Sequence, residues 1–430
     1  MRSNARNSLL ALGSAVVFLV PGLLRISHGA LGPYGESSFS LFTAHGIFPW
    51  MVQQMIGWLG SSIGPVLLTS VLGGIAMLLL LQLFNKVKLT PQEQLLALSI
   101  TLVSPVMMGT FSTPQRDSLA LVGLLLLTLA NLEQWWVVGI FAGFFIGAES
   151  ATLGILALLV IAVFSKRNAW RSVQGIGVIV GYVAFLPTVT WGHGILDALR
   201  SIIAELGNAR GMSAMLFAVA IISMPIVWRR REQYAGMLWA ASPIFLMPLL
   251  GKPMGFVALF GIAGIAAVGI AELLRRPWES RGLQQLTALI IICGILFSVI
   301  TFLTGALALP PRMSEQRALA YIATNAGSDT KIFADPSQAA MVEALAHVQV
   351  GTVVHAPGER REVERMLEQL QSTENPLPAR QLMLDHDITI LFLTPGIDRS
   401  YPWAQSVKLT TAKKFTNLYA DGQVTVWALK

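Results

Sequence analysis

Between Ser8 and Leu309 the chain is a succession of long apolar runs, each parted from the next by a short cluster of charge. No soluble core can bury so many continuous apolar runs. A hydrocarbon core about 30 Å thick accepts each as a helix of about 20 residues. Spans are expected near 8–26, 62–84, 93–110, 117–132, 135–148, 151–165, 172–191, 212–228, 234–250, 254–273 and 284–307, about eleven in all. From Arg312 to Lys430 the charges are spread as in a soluble domain. The expected organisation is a polytopic α-helical membrane domain, 1–311, followed by a small α/β soluble domain, 312–430. Only 12% of residues are charged, against about 25% in soluble domains.

The basic residues orient the spans. Alternate loops hold Arg2 and Arg6; Lys86 and Lys88; Lys166, Arg167 and Arg171; Arg229, Arg230 and Arg231; and Arg275, Arg276 and Arg281. The opposite loops hold Arg116, Arg200, Arg210 and Lys252, with Arg25 at a helix end. By the positive-inside rule the N-terminus is cytoplasmic and the C-terminal domain extracytoplasmic, in a plasma or inner membrane. The net charge of +7 is then mostly a topology signal and not a nucleic-acid patch. Arg2, Arg6 and the apolar stretch from Leu9 to Leu24 also have the form of a signal peptide. The many spans that follow suit an uncleaved first helix better. Cys293 is the lone cysteine, so no intramolecular disulfide can form.

Trp135 to Phe164 is the ambiguous segment. As one helix it would rise about 45 Å, too long for one span, and as two spans it is short. A break at Gly147-Ala148-Glu149-Ser150 makes a hairpin and preserves the segregation of basic loops. A single helix would invert everything after it. With the hairpin, Glu36, Asp117 and Glu149 fall in the first three extracytoplasmic loops.

The first of these loops runs Gly32-Pro33-Tyr34-Gly35-Glu36-Ser37-Ser38-Phe39-Ser40-Leu41-Phe42-Thr43-Ala44-His45. Phe39, Phe42, Trp50 and Trp58 suit a helix lying in the interface plane, or an aromatic belt at the membrane surface. A Gly-acid-small-aromatic run ending in Leu-x-x-Ala, placed after the first helix and before a surface helix, resembles the GT-C membrane glycosyltransferases. Leu89-Thr90-Pro91, Ser104-Pro105-Val106, Phe111-Ser112-Thr113 and Trp136-Val137-Val138-Gly139-Ile140-Phe141-Ala142-Gly143 look like that superfamily's middle section. It includes oligosaccharyltransferases, protein O-mannosyltransferases and lipid A aminoarabinose transferases. The likeness covers residues 8–165, with the later helices following by topology. It departs at Ser40, where many members carry His. No Asp-x-Asp pair occurs in the second outer loop, Thr113-Pro114-Gln115-Arg116-Asp117.

The resemblance implies transfer of a sugar from a polyprenyl-phosphate-linked donor to a lipid, glycan or protein acceptor. It makes Glu36 the catalytic candidate, as general base, with Asp117 beside it. Asp117, Glu149 and His45 are candidate ligands of a divalent cation such as Mg²⁺ or Mn²⁺. Arg200, Arg210 and Lys252 are candidate partners of the lipid phosphate. Each has a blander reading. Arg116-Asp117 can cap a helix N-terminus, Lys252 can snorkel, and His45 and His193 can be structural. A carboxylate at the tip of a tight hairpin, as Glu149 is, faces a cavity or a partner.

In the C-terminal domain, strands are expected at Lys331–Asp335, Val348–Val354 and Asp387–Thr394, and as a hairpin of Lys414–Tyr419 with Gln423–Leu429. Helices are expected from Pro336 to Ala346 and from Glu359 to Leu370. Asp335, at a strand end, is a minor site candidate. Two other functions stay open. One is a non-catalytic protein on the same scaffold that binds lipid-linked sugar or assists a complex. The other is a transporter, which would place ionisable groups near the bilayer midplane in repeat-related halves.

Overall fold

The computed structural model describes the chain except residues 1, 28–45, 166–169, 186–202, 204–210, 247–252, 309–312, 328–329, 337, 347, 353–359, 422–423 and 430. It forms two compact units that part after Ala308. Each is described by itself.

The first unit is helical. It comprises α1 (Arg2–Ser27), α2 (Ile47–Lys86), α3 (Pro91–Val103), α4 (Pro105–Ser112), α5 (Arg116–Glu133), α6 (Trp136–Glu149), α7 (Ala151–Ser165), α8 (Trp170–Phe185), α9 (Ala214–Arg229), α10 (Arg231–Ala241), α11 (Pro253–Arg275) and α12 (Arg281–Ala308). Every expected apolar segment contains a helix. Among the described residues, however, four helices are long and apolar enough to cross a membrane: Leu9–Ser27, Ile63–Lys86, Met254–Arg275 and Arg281–Thr304. A fifth is gained if the bent pair α3 and α4 is one span. The remaining apolar helices, such as α6 and α9, are short. The expected count of about eleven therefore stays an expectation.

Two interruptions shape this unit. Gly60 has φ +83, a left-handed conformation that suits glycine, and it breaks α2 into an arm, 47–59, and an apolar limb. Gly64 lies against the Met55 carbonyl, where an added Cβ would sit 2.4 Å away, so the arm folds back on the limb. Phe48 and Val52 face inward on this arm, while Trp50 and Trp58 are exposed. That distribution fits the interface-plane reading. The second interruption is Ser104-Pro105. Proline forces the preceding residue out of helical geometry. Ser104 is extended, and α3 and α4 bend by 58°.

The ambiguous segment is broken at Ser150 (φ −146, ψ 106). Gly139, Gly143 and Gly147 of α6 meet Gln174, Val178 and Tyr182 of α8 in rising order, so these two helices run parallel. Gly154 of α7 meets Val178, and Gly175 meets Leu158, so α7 runs against α8. The chain therefore reverses direction at Ser150, as the hairpin requires. The α6–α8 crossing is close: a Cβ at Gly147 would lie 2.0 Å from the Val178 carbonyl oxygen. Small residues at four-residue spacing permit such an approach.

Charges collect at the opposite end from this turn. Lys86 pairs with Glu133, the last residue of α5. Arg275 lies 3.6 Å from Glu93 and donates to Thr90 and Gln92. Gln233 reaches the Lys88 carbonyl, which brings Arg229, Arg230 and Arg231 to the same end.

The second unit is an α/β/α sandwich. It contains α13 (Met313–Asn325), β1 (Lys331–Phe333), α14 (Ala339–Ala346), β2 (Gln349–Val350), α15 (Arg360–Ser372), α16 (Pro376–Asp385), β3 (Ile388–Leu393), α17 (Ile397–Ser400), α18 (Ser406–Thr411), β4 (Phe415–Asp421) and β5 (Val424–Leu429). The strand order is β2-β1-β3-β5-β4. β1 is parallel to β2 and β3; β5 is antiparallel to β3 and β4. Alternation sorts the strands into two cores. Ile332, Phe392 and Val426 pack with Leu319 and Val342 on one face. Phe333, Leu391 and Trp427 pack with Met366, Met383 and Trp403 on the other. All the expected strands are present. α13 and α16 are additional to the expected elements.

Candidate functional site

Of the candidate residues, Asp117 and Glu149 are described. Glu36, His45, His193, Arg200, Arg210 and Lys252 lie outside the described residues.

Asp117 stands in the first turn of α5. The segment before it is braced. Gln115 donates to the Gly109 carbonyl and to Thr113 Oγ1, at 3.2 and 2.6 Å. Ser118 donates to the Thr110 carbonyl at 2.7 Å. The Ser150 hydroxyl donates to the Asp117 carboxylate. Ser150 Oγ in turn accepts from the Leu153 N–H at 3.4 Å, in the first turn of α7. Asp117 is thus tied to the hairpin tip.

Glu149 ends α6, and its side chain is fully buried. Its Oε1 accepts the Phe48 N–H at 2.8 Å, and its carboxylate also accepts from the Ile47 N–H. These are orphan donors of the first turn of α2, whose own N-cap, Gly46, has no side chain to offer. Glu149 Oε2 lies 4.0 Å from Arg116 Nε and makes no hydrogen bond among the described residues. Asp117 is close enough to act electrostatically on Glu149. A Cβ at Gly46 would meet Arg116 Nη2 at 3.3 Å and Glu149 Oε1 at 3.4 Å. Gly46 before α2, Arg116 at the start of α5 and Glu149 at the turn between α6 and α7 therefore meet at one place. The N-termini of α2, α5 and α7 all lie here, and each favours negative charge.

The sequence reading brought forward the acids but missed Gly46 and the partnership of Arg116 with Glu149. It also missed the burial of Arg25, in the last turn of α1, which is 1% exposed. Arg25 falls two helical turns after Phe18, which packs on Phe111 of α4. Asp335 sits just after β1, where its charge and burial together push the Tyr401 phenol above its ordinary range. Gln338 and Thr394 hydrogen-bond beside it at 3.0 Å.

Among the described residues no group of three His, Cys, Asp or Glu side chains is placed to hold a metal. Asp117 and Glu149 supply two carboxylates, one with an orphaned buried oxygen. That fits part of the oxygen shell a hard cation needs.

No protein-family model matches the chain, and no curated protein does. Solved structures do. The oligosaccharyltransferase of Archaeoglobus fulgidus, tethered to an acceptor peptide, matches with a TM-score of 0.57 and 12% identity, over 98% of this chain and 74% of that one. AglB, an oligosaccharyltransferase from the same organism solved with an inhibitory peptide and a dolichol-phosphate, matches with a TM-score of 0.55 and 10% identity, over 100% and 74%. ArnT from Cupriavidus metallidurans in the apo state matches with a TM-score of 0.51 and 13% identity, over 100% and 98%. Its undecaprenyl phosphate complex has also been solved. At 10–13% identity these matches show a shared fold, that of the archaeal oligosaccharyltransferase and of ArnT, which is the GT-C fold.

Proposed function

We propose that this protein transfers a sugar from a polyprenyl-phosphate carrier to an extracytoplasmic acceptor. The observation that carries the reading is the pooling of Asp117 and Glu149 at the end of the loop that bears Glu36. The fold supports it, because AglB is solved with dolichol-phosphate and ArnT with undecaprenyl phosphate. In the proposed reaction an acceptor hydroxyl or amide attacks the anomeric carbon, and the bond from that carbon to the phosphate oxygen breaks. Glu36 takes the acceptor proton. Arg200, Arg210 and Lys252 stabilise the departing phosphate.

Asp117 and Glu149 Oε2 would hold a divalent cation, which would supply positive charge to the leaving group. A zinc- and sulfate-containing structure of the archaeal enzyme exists. His45 would complete that shell. The positive-inside rule places this end of the bundle, and the C-terminal unit, outside.

The test is Glu36→Gln, which keeps size and removes charge. Loss of a general base costs about 10²–10⁴ in rate. The variant should accumulate and bind undecaprenyl phosphate as the wild type does, yet transfer little sugar. Transfer at the wild-type rate would leave the scaffold without this chemistry. A second reading, a non-catalytic member of the same fold, draws support from Glu149 itself, since one of its oxygens is already occupied as a helix cap.

A further inference from the structure

We infer that Glu149 is a positioning residue whose Oε1 clamps the start of the arm 47–59, and so fixes Gly46, the residue that follows the Glu36 loop in sequence. The clamp joins segments 101 residues apart, since the Phe48 N–H donates to Glu149 Oε1 at 2.8 Å. The Ile47 N–H adds a second bond to the same carboxylate.

Nothing local can replace it. Gly46 offers no side-chain cap. Phe48 is wholly buried, so its N–H has no water to turn to. Gly46 is extended (φ 165), a conformation open to any residue. Its constraint is space: a Cβ would press on Pro49 Cδ, Arg116 Nη2 and Glu149 Oε1 at 3.1, 3.3 and 3.4 Å. The seat is therefore built from both sides, by an acceptor on α6 and by the missing side chain on the loop. Arg116 at 4.0 Å from Oε2 holds the second oxygen away from the helix start. The two oxygens thus have separate duties. Oε1 seats the start of the arm and Oε2 faces Arg116.

The clamp needs an acceptor atom at Oε1 and no negative charge. Glutamine retains that atom and alanine does not. The experiment digests purified full-length protein with chymotrypsin and follows the cut at Trp50, which is exposed in the first turn of the clamped arm. Leaving the buried Phe48 N–H without an acceptor should speed such cleavage about tenfold or more.

Glu149→Ala is expected to show that acceleration, and Glu149→Gln to stay within about twofold of wild type, as cleavage that tracks local opening implies. Alanine protected like wild type would overturn the clamp. Glutamine cut as fast as alanine would overturn it too, since charge would then be what matters. Should Glu149→Ala fail to accumulate, Gly46→Val attacks the same seat from the loop side, and wild-type protection of that variant would refute the clamp.

A parallel titration with undecaprenyl phosphate rests on the reading above. Gly46→Val, which disturbs the seat without altering a proposed cation ligand, should weaken its binding. If wild type binds no undecaprenyl phosphate, the transferase reading fails, while the proteolysis arm still decides the clamp.

Discussion

Each end of the helical unit buries a glutamate that caps a helix, and the two do it in opposite ways. At one end Glu93 sits in the first turn of its own helix. It accepts the Thr90 N–H at 2.9 Å, while Thr90 Oγ1 accepts the Glu93 N–H at 3.4 Å. At the other end Glu149 caps a helix through a residue 101 positions earlier in the chain, Phe48. Both carboxylates have an arginine near by, Arg275 at 3.6 Å and Arg116 at 4.0 Å. The first cap closes a loop of three residues and costs little entropy to form. The second closes a long loop and needs the surrounding bundle to be in place. A local cap stabilises one helix. A remote cap ties two parts of the fold together, which is what a site assembled from several loops requires.

This contrast can be broken by substitution. Glu149→Leu strips the acceptor from the buried Phe48 N–H and leaves Arg116 beside an apolar side chain. Breaking a buried pair in this way costs about 3–5 kcal/mol, and the melting temperature in detergent should fall furthest for this variant. Glu93→Ala should cost less, about 1–3 kcal/mol, because Arg275 reaches water and the helix keeps its Thr90 bond. If Glu93→Ala proved the more damaging, the distinction between local and remote capping would carry no energetic weight here.

Thr90→Ala removes the other half of the local box and should cost about 1 kcal/mol. Lys86→Ala should be nearly silent, at about 0.5 kcal/mol or less, since both partners of the Lys86–Glu133 pair are partly exposed. Its small effect should vanish in high salt.

The same contrast explains what the sequence allowed one to read. Apolar runs locate the helices because burial in a bilayer requires them. Segregated arginines and lysines distinguished a hairpin from a long helix at Ser150, and the order of contacts between α6, α7 and α8 agrees. The Thr90-Pro91-x-Glu93 box is a local signal. Alternation located all the strands of the C-terminal unit. α16 was missed although Asn375-Pro376 is a helix start, with the Asn375 side chain accepting the Leu377 N–H. α13 was missed although Ala318, Leu319 and Ile322 mark its inner face.

The site was legible as residue types only. Asp117 and Glu149 could be singled out as acids at outer span ends. That Glu149 would spend one oxygen on Phe48 has no sequence signature, because the pairing is set by packing between distant segments. Nor does the burial of Arg25, whose position in the last turn of a helix usually means solvent. The gap between an interface helix reaching Trp58 and a span from 62 located the break in α2, but one glycine in an apolar-polar stretch does not reveal the left-handed turn at Gly60.

The glycine seam between α6 and α8 has one more effect. Because most of its contacts are with backbone and recur every four residues, α6 cannot creep gradually along its neighbour. The next arrangement in which glycine again faces backbone is a whole repeat away, about 6 Å at 1.5 Å per residue. Glu149 rides at the tip of α6, so its height has a discrete set of values. One value reaches the Phe48 N–H, and its neighbours miss it by twice the length of a hydrogen bond. Small thermal shifts elsewhere in the bundle are therefore filtered out before they reach the carboxylate.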